Sequence, residues 1–185
     1  MLIETYTSNW ITNFTDIKRE IENALNGLSY TIEHIGSTAV PNLDSKPIID
    51  IDIIYSKQPY FEKIKLGLER IGYFHNGNQG IEDRDVFKRN GKLTNELLDT
   101  VKHHLYVCSI DSKALERHIL SRNYLRKNDR AMIKYQQMKY VLAEKAGQDR
   151  KVYADLKELN ANAFIDSIIE EEKRTHNIGF YASVV

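Results

Sequence analysis

Residues 31–55 read TIEHIGSTAVPNLDSKPIIDIDIIY. The stretch has three parts: an apolar segment ending in His34-Ile35-Gly36-Ser37, a connector, and a second apolar run that carries Asp50 and Asp52. The second run, 47–55, is rich in Ile and starts at a proline, which reads as a strand. Side chains alternate across a strand, so Asp50 and Asp52 share one face and Ile49, Ile51 and Ile53 the other. Two carboxylates about 7 Å apart repel, more so where water is partly excluded. Such a pair either faces solvent or shares a cation, and Mg²⁺ prefers a few carboxylates plus phosphate oxygens. Neither acid is expected in the core.

Working outward, a helix is expected over 9–25, capped by Ser8, with Trp10, Phe14, Ile17, Ile21 and Leu25 on one stripe and Gly27 behind it. A strand over 29–35 follows, then a short helical turn from Ser37 or Thr38 to Val40. After the acid-bearing strand come a helix over 60–71, a short strand over 72–75, a loop over 76–80 and a strand over 85–89. Residues 93–100 read as a loop or irregular edge. Residues 103–109 form a strand with His104 and Tyr106 on one face and Leu105 and Val107 on the other. Beyond residue 110 the pattern is helical: 112–126 capped by Asp111 or Ser112, 129–146, and 149–174. The last should bury Leu156, Leu159, Ala163, Ile165, Ile168 and Ile169. The fold class is therefore α+β: a mixed α/β core over 1–110 and a C-terminal helical region over 111–185 packed on it.

Composition narrows the functional classes. Lys plus Arg and Asp plus Glu both number 26 in 185 residues, so nothing favours general polyanion binding, and nucleic acid is disfavoured as a partner. One cysteine, Cys108, excludes an internal disulfide or a cysteine zinc cage and suits a cytoplasmic location. The N-terminal sequence has no secretion signal, and no apolar run is long enough to span a membrane.

Gly36-Ser37 alone is an ordinary turn, and Asp50-x-Asp52 alone is at home on the wet face of a strand. Their combination is more specific. A strand ending in Gly-Ser, 12 intervening residues, then Asp-Ile-Asp on the next strand puts phosphate-binding amides beside a metal-binding acid pair. Nucleotidyl transfer needs that arrangement.

The pattern resembles the nucleotidyltransferase superfamily, hydrophobic-Gly-Gly/Ser followed by Asp-hydrophobic-Asp/Glu. Residues 33–41, EHIGSTAVP, and 46–52, KPIIDID, more closely resemble the signature of the GrpB family, as do 103–107, HHLYV, 122–126, RNYLR, and the Tyr135/Lys139 and Tyr153/Lys157 pairs. The resemblance covers nearly the whole chain. It implies a nucleotidyltransferase-like mixed sheet, a Mg²⁺ or Mn²⁺ cofactor, and transfer of a nucleoside monophosphate from an NTP to an unknown small-molecule or protein acceptor. The alternative is a degenerate member that binds a nucleotide or phosphorylated metabolite without turnover. Asp50, Asp52 and His104 are the expected catalytic and metal residues; Gly36, Ser37, Thr38, Lys46 and Arg84 are expected on the phosphates. Two departures stand out. The strand that should supply a third carboxylate carries His104 instead, with Asp85 as a substitute from its own strand, and Tyr106 stands where the family pattern has histidine. Arg122 and Arg126 read as a solvated helix face, and the Tyr/Lys pairs as helix packing.

Overall fold

The computed structural model describes residues 1–175. Five strands, β1 (Thr31–Ile35), β2 (Ile49–Tyr55), β3 (Tyr73–His75), β4 (Arg84–Arg89) and β5 (His103–Ser109), form one sheet in the order β1-β2-β5-β4-β3. Only the central β2–β5 pair is parallel; the other neighbours are antiparallel. A parallel pair requires a long crossover, and here it carries β3, β4 and two helices.

The Ile-rich face of β2 is the main core. Ile49, Ile51 and Ile53, with Leu105, Val107 and Phe87, pack under α1 (Asn9–Ala24) and α2 (Gln58–Arg70). The stripe expected for α1 is in place, with Ile17, Ile21 and Leu25 fully buried. Each such side chain contributes roughly 1.5–3 kcal/mol through burial. Ser8 does not cap α1: it is already helical and its side chain makes no cap hydrogen bond.

The opposite face carries the acids. Its upper part is covered by α4 (Lys113–Lys127), whose Leu115 and Ile119 pack on Ile35, Ile54 and Cys108. Ser112 caps α4 by accepting from Leu115 N–H, as its sequence predicts. Helices α5 (Asp129–Lys145) and α6 (Arg150–Thr175) follow in the helical region, and 176–185 of the span expected for it lie outside the described residues. The cap of α5 is Asn128, which accepts from Ala131 N–H. Val40 and Leu43 from the connector pack with Tyr124, Met132, Tyr135 and Ile168, and Leu2 and Ile3 pack on Leu142 and Tyr153. The first residues of the chain and the last helices thus share one apolar cluster.

Three further expectations fail in the elements themselves. Residues 93–100 contain a short helix, α3 (Glu96–Thr100), capped by Asn95, which accepts from Leu98 N–H while its own N–H donates to Asp99. Leu159 is 80% exposed. Ala163 is exposed as well, because α6 presents a different stripe to its neighbours, with Tyr153, Ala161, Ile168 and Ile169 inward.

Candidate functional site

The sheet register brings the expected acids and His104 together. Asp50 lies between Ile35 of β1 and His104 of β5, and Asp52 between Glu33 and Tyr106. His104 Nδ1 is 2.8 Å from Asp50 Oδ1. An ionised carboxylate only accepts, so Nδ1 carries the proton and the Nε2 lone pair is left over on a half-exposed ring.

Asp52 corrects the expectation that neither acid lies in the core. It is completely buried, because α4 lies across it. Its partner is His118 of α4, with Nδ1 2.9 Å from Oδ2, a residue that no sequence motif singles out. Burial pushes the Asp52 carboxyl above its ordinary range, and the neighbouring His118 pulls in the other direction. Oδ1 of Asp52 is buried with no hydrogen-bond partner among the described residues. A buried carboxylate oxygen without a partner is costly unless something binds it.

Gly36 sits against Asp50. Its φ is +72°, and a Cβ there would lie 3.1 Å from Cβ and Cγ of Asp50 and closer still to Oδ2. Glycine is required twice over, by backbone conformation and by approach. The short 3-10 turn that follows, Ser37–Ala39, is held from below. Thr38 donates to Ile48 C=O (3.3 Å) and meets His34 Nε2 at 3.1 Å, and His34 stacks on Phe14 with ring centroids 4.6 Å apart. The Thr38 hydroxyl is therefore buried in the turn and not displayed to a ligand. His34 positions the turn; its burial, with Arg126 nearby, lowers its pKa to about 4.

Arg122 departs from the solvated face expected of the pair, whereas Arg126 is exposed as expected. Arg122 is 6% exposed and donates to Glu33 (2.5 Å) and to His34 C=O (2.8 Å). Arg126 Nε donates to Ala39 C=O. The two arginines tie α4 to β1 and the Gly36 turn, fixing the helical region over the acids.

On the same side, Lys46 lies over the Tyr153 ring, 4.8 Å from its centroid, and burial with Lys157 nearby lowers its pKa. Tyr135, Tyr153 and Asp50 hold the Lys157 ammonium charged, Tyr135 also through a hydrogen bond. The packing role expected for Tyr135, Tyr153 and Lys139 holds, since all three are buried. Lys157 does more, since its charge is felt at Asp50.

Arg84 and Asp85 point to opposite faces of β4. Asp85 pairs with Val107 on the Ile-rich side and bonds His75 Nε2 at 2.6 Å, so it does not supply a third carboxylate to the acid pair. Arg84 is on the acid face, its guanidinium 4.6 Å from the Tyr106 ring centroid. It lies two strands from β2, on the side away from the Gly36 turn. Among the described residues no group of three His, Cys, Asp or Glu side chains is disposed to hold a metal by itself. Two carboxylates with one unpartnered buried oxygen do suit a divalent cation that completes its shell from phosphate oxygens and water. His104 then serves as the hydrogen-bond partner of a ligand, its Nδ1 being committed to Asp50.

The family model described as GrpB protein matches residues 1–171. The chain belongs to the GrpB family. The glutamate-rich protein GrpB of Alkalihalophilus pseudofirmus is 30% identical over 172 residues, covering 92% of this chain and 95% of that one. The UPF0157 protein YqkA of Bacillus subtilis is 30% identical over 138 residues, 75% of this chain but only 38% of that longer protein. Among solved structures, the conserved protein GrpB from Enterococcus faecalis superposes with a TM-score of 0.75 at 28% identity, covering 94% and 98% of the two chains. The Cid1 poly(U) polymerase, in a structure with MgGTP bound, superposes with a TM-score of 0.55 at 12% identity over 77% of this chain and 44% of that one. The GrpB fold seen here is thus nucleotidyltransferase-like. No described helix is long and apolar enough to cross a membrane.

Proposed function

We propose that this protein is a Mg²⁺- or Mn²⁺-dependent nucleotidyltransferase that moves a nucleoside monophosphate from an NTP to an acceptor. The observation that carries this reading is the pairing of Asp50 with the fully buried Asp52, whose Oδ1 has no partner, directly against Gly36. The similarity in fold to a polymerase solved with MgGTP supports it. A divalent cation bound by Asp50 and Asp52 supplies charge neutralisation at the phosphates.

The chain's own residues do the rest. Ala39 N–H closes the turn on Gly36 C=O, and the N–H groups of Ser37 and Thr38 ahead of it suit phosphate oxygens. Lys46 and Lys157 add positive charge on that side. His104, with Nδ1–H on Asp50, offers Nε2 to the proton of a hydroxyl acceptor. The acceptor oxygen bonds to the α-phosphorus as the bond to the pyrophosphate oxygen breaks, and pyrophosphate leaves with the electron pair. The buried free thiol of Cys108 accords with a cytoplasmic setting.

A second reading, nucleotide or phospho-metabolite binding without turnover, is favoured by one feature: His104 and Tyr106 are the β5 neighbours of the acids, and Asp85 faces away. Incubation with labelled NTPs and Mg²⁺ or Mn²⁺ separates the two. Pyrophosphate release supports transfer; saturable binding with no release supports the binding protein; neither contradicts both.

A further inference from the structure

The acid face of the sheet is covered unevenly. Helix α4 closes it over β1, β2 and the end of β5, whereas beyond the Phe87–Leu105 pair, where β4 and the start of β5 part, a cavity of about 500 Å³ is lined by Arg84, Lys88, His104 and Tyr106 from the acid face and by Tyr73, Phe87 and Leu98 from the other. That is the size of a small-molecule pocket. His104 and Tyr106 line it, so it begins where the acid pair ends.

Its charge is one-sided. Arg84 and Lys88 lie on one face of β4 by strand alternation, and Lys102 stands two residues before His104; all three line the cavity. Arg84 Nε is buried without a hydrogen-bond partner, and neither Arg84, Lys88 nor Lys102 forms an ion pair among the described residues. The acid in the wall, Asp99, is already taken by Arg89 at 2.7 Å and by Asn95 N–H. Three cations remain, with no carboxylate in the wall left to answer them.

The geometry points to a binding site for a small anionic molecule in this cavity. We infer that it is the acceptor subsite, an inference that rests on the transferase reading. In-line displacement sets the attacking and leaving oxygens on opposite sides of phosphorus. The Gly36 turn follows β1, on one side of the acids, and the cavity lies on the β5–β4 side, so the triphosphate tail and the acceptor are separated in that sense. The acceptor is then a phosphate- or carboxylate-bearing metabolite whose anionic group sits among Arg84, Lys88 and Lys102 while its nucleophilic oxygen reaches His104.

The test is binding without metal. In EDTA, glycerol 3-phosphate, citrate and glycerol are titrated against the full chain, with calorimetry for affinity and the His104 ring resonances as a local probe. Glycerol 3-phosphate or citrate, but not glycerol, is expected to saturate and to shift His104, the one that binds identifying the anionic group. The Lys88→Ala/Lys102→Ala double variant, altered only at exposed side chains, should weaken that binding roughly tenfold or more. Failure of the wild type to bind nucleotide with Mg²⁺ while the anion still binds in EDTA overturns the transferase reading and leaves the site. Absence of anion binding, or equal affinity in the double variant, overturns the site itself.

Discussion

Gly36 and Asp50 are in van der Waals contact across β1 and β2, with no room for a methyl group between the glycine backbone and the carboxylate. The turn that is to hold phosphate and the acid that is to hold metal are therefore set by one another. Gly36→Ala adds a Cβ at φ +72° and against Asp50. It should cost about 1–3 kcal/mol and displace the carboxylate. Thermal unfolding and Mg²⁺-dependent nucleotide titration of the same variant check both parts. Unchanged stability and affinity would show that the contact does not constrain the site.

Asp52 makes the opposite prediction about stability. Its folded pKa is raised by burial, so the proton-linked stabilisation is present below the ordinary carboxylate value of 3.8 and is lost as pH rises through the folded value. Above that folded value the wild type carries a buried, half-partnered charge. Asp52→Asn removes that charge at constant volume and should leave stability unchanged or slightly raised while abolishing metal-dependent nucleotide binding. Denaturant unfolding at pH 7 and pH 5 measures the first, calorimetry the second.

His34 governs a different pH window. Its pKa falls from 6.5 to about 4 in the folded chain, so the folded state binds fewer protons than the unfolded one between those values. Stability is held in full above 6.5 and falls as pH drops toward 4, by about 3 kcal/mol in total. The unfolding free energy of the wild type should show this slope, and His34→Gln should flatten it.

The lesson for sequence reading is local. Strand β5 was legible to the residue because HHLYVCS alternates cleanly, and the Gly-Ser turn and Asp-x-Asp strand were legible as chemistry. What escaped depended on long-range covering. Asp52 reads as surface because strand alternation cannot show that α4 will lie over it. His118 has no signal of its own, and only its place between Leu115 and Ile119 on the stripe that packs against the sheet puts it near the acids. Arg122 is hidden for the same reason, since its partner Glu33 is 89 residues away. Helix α3 is too short to show periodicity, although Asn95 and Asp99 bracket it as cap residues do.

Arg122 offers a test of how the helical region is fixed. Arg122→Ala removes the donors to Glu33 and to His34 C=O and leaves a half-buried carboxylate without its partner. A loss of about 2 kcal/mol is expected, less than for a fully buried pair because Glu33 is 23% exposed. Arg122→Lys should recover only part of it, since one ammonium cannot reproduce the forked contact. Chemical denaturation of both variants measures this directly.

The most direct test of the acid pair as a metal-nucleotide site is calorimetric titration of NTPs into wild type and Asp50→Asn, each with Mg²⁺ and with EDTA. The expected result is saturable, Mg²⁺-dependent binding in the wild type that disappears in Asp50→Asn while the unfolding temperature is retained. Equal Mg²⁺-dependent affinity in the two proteins would contradict the assignment.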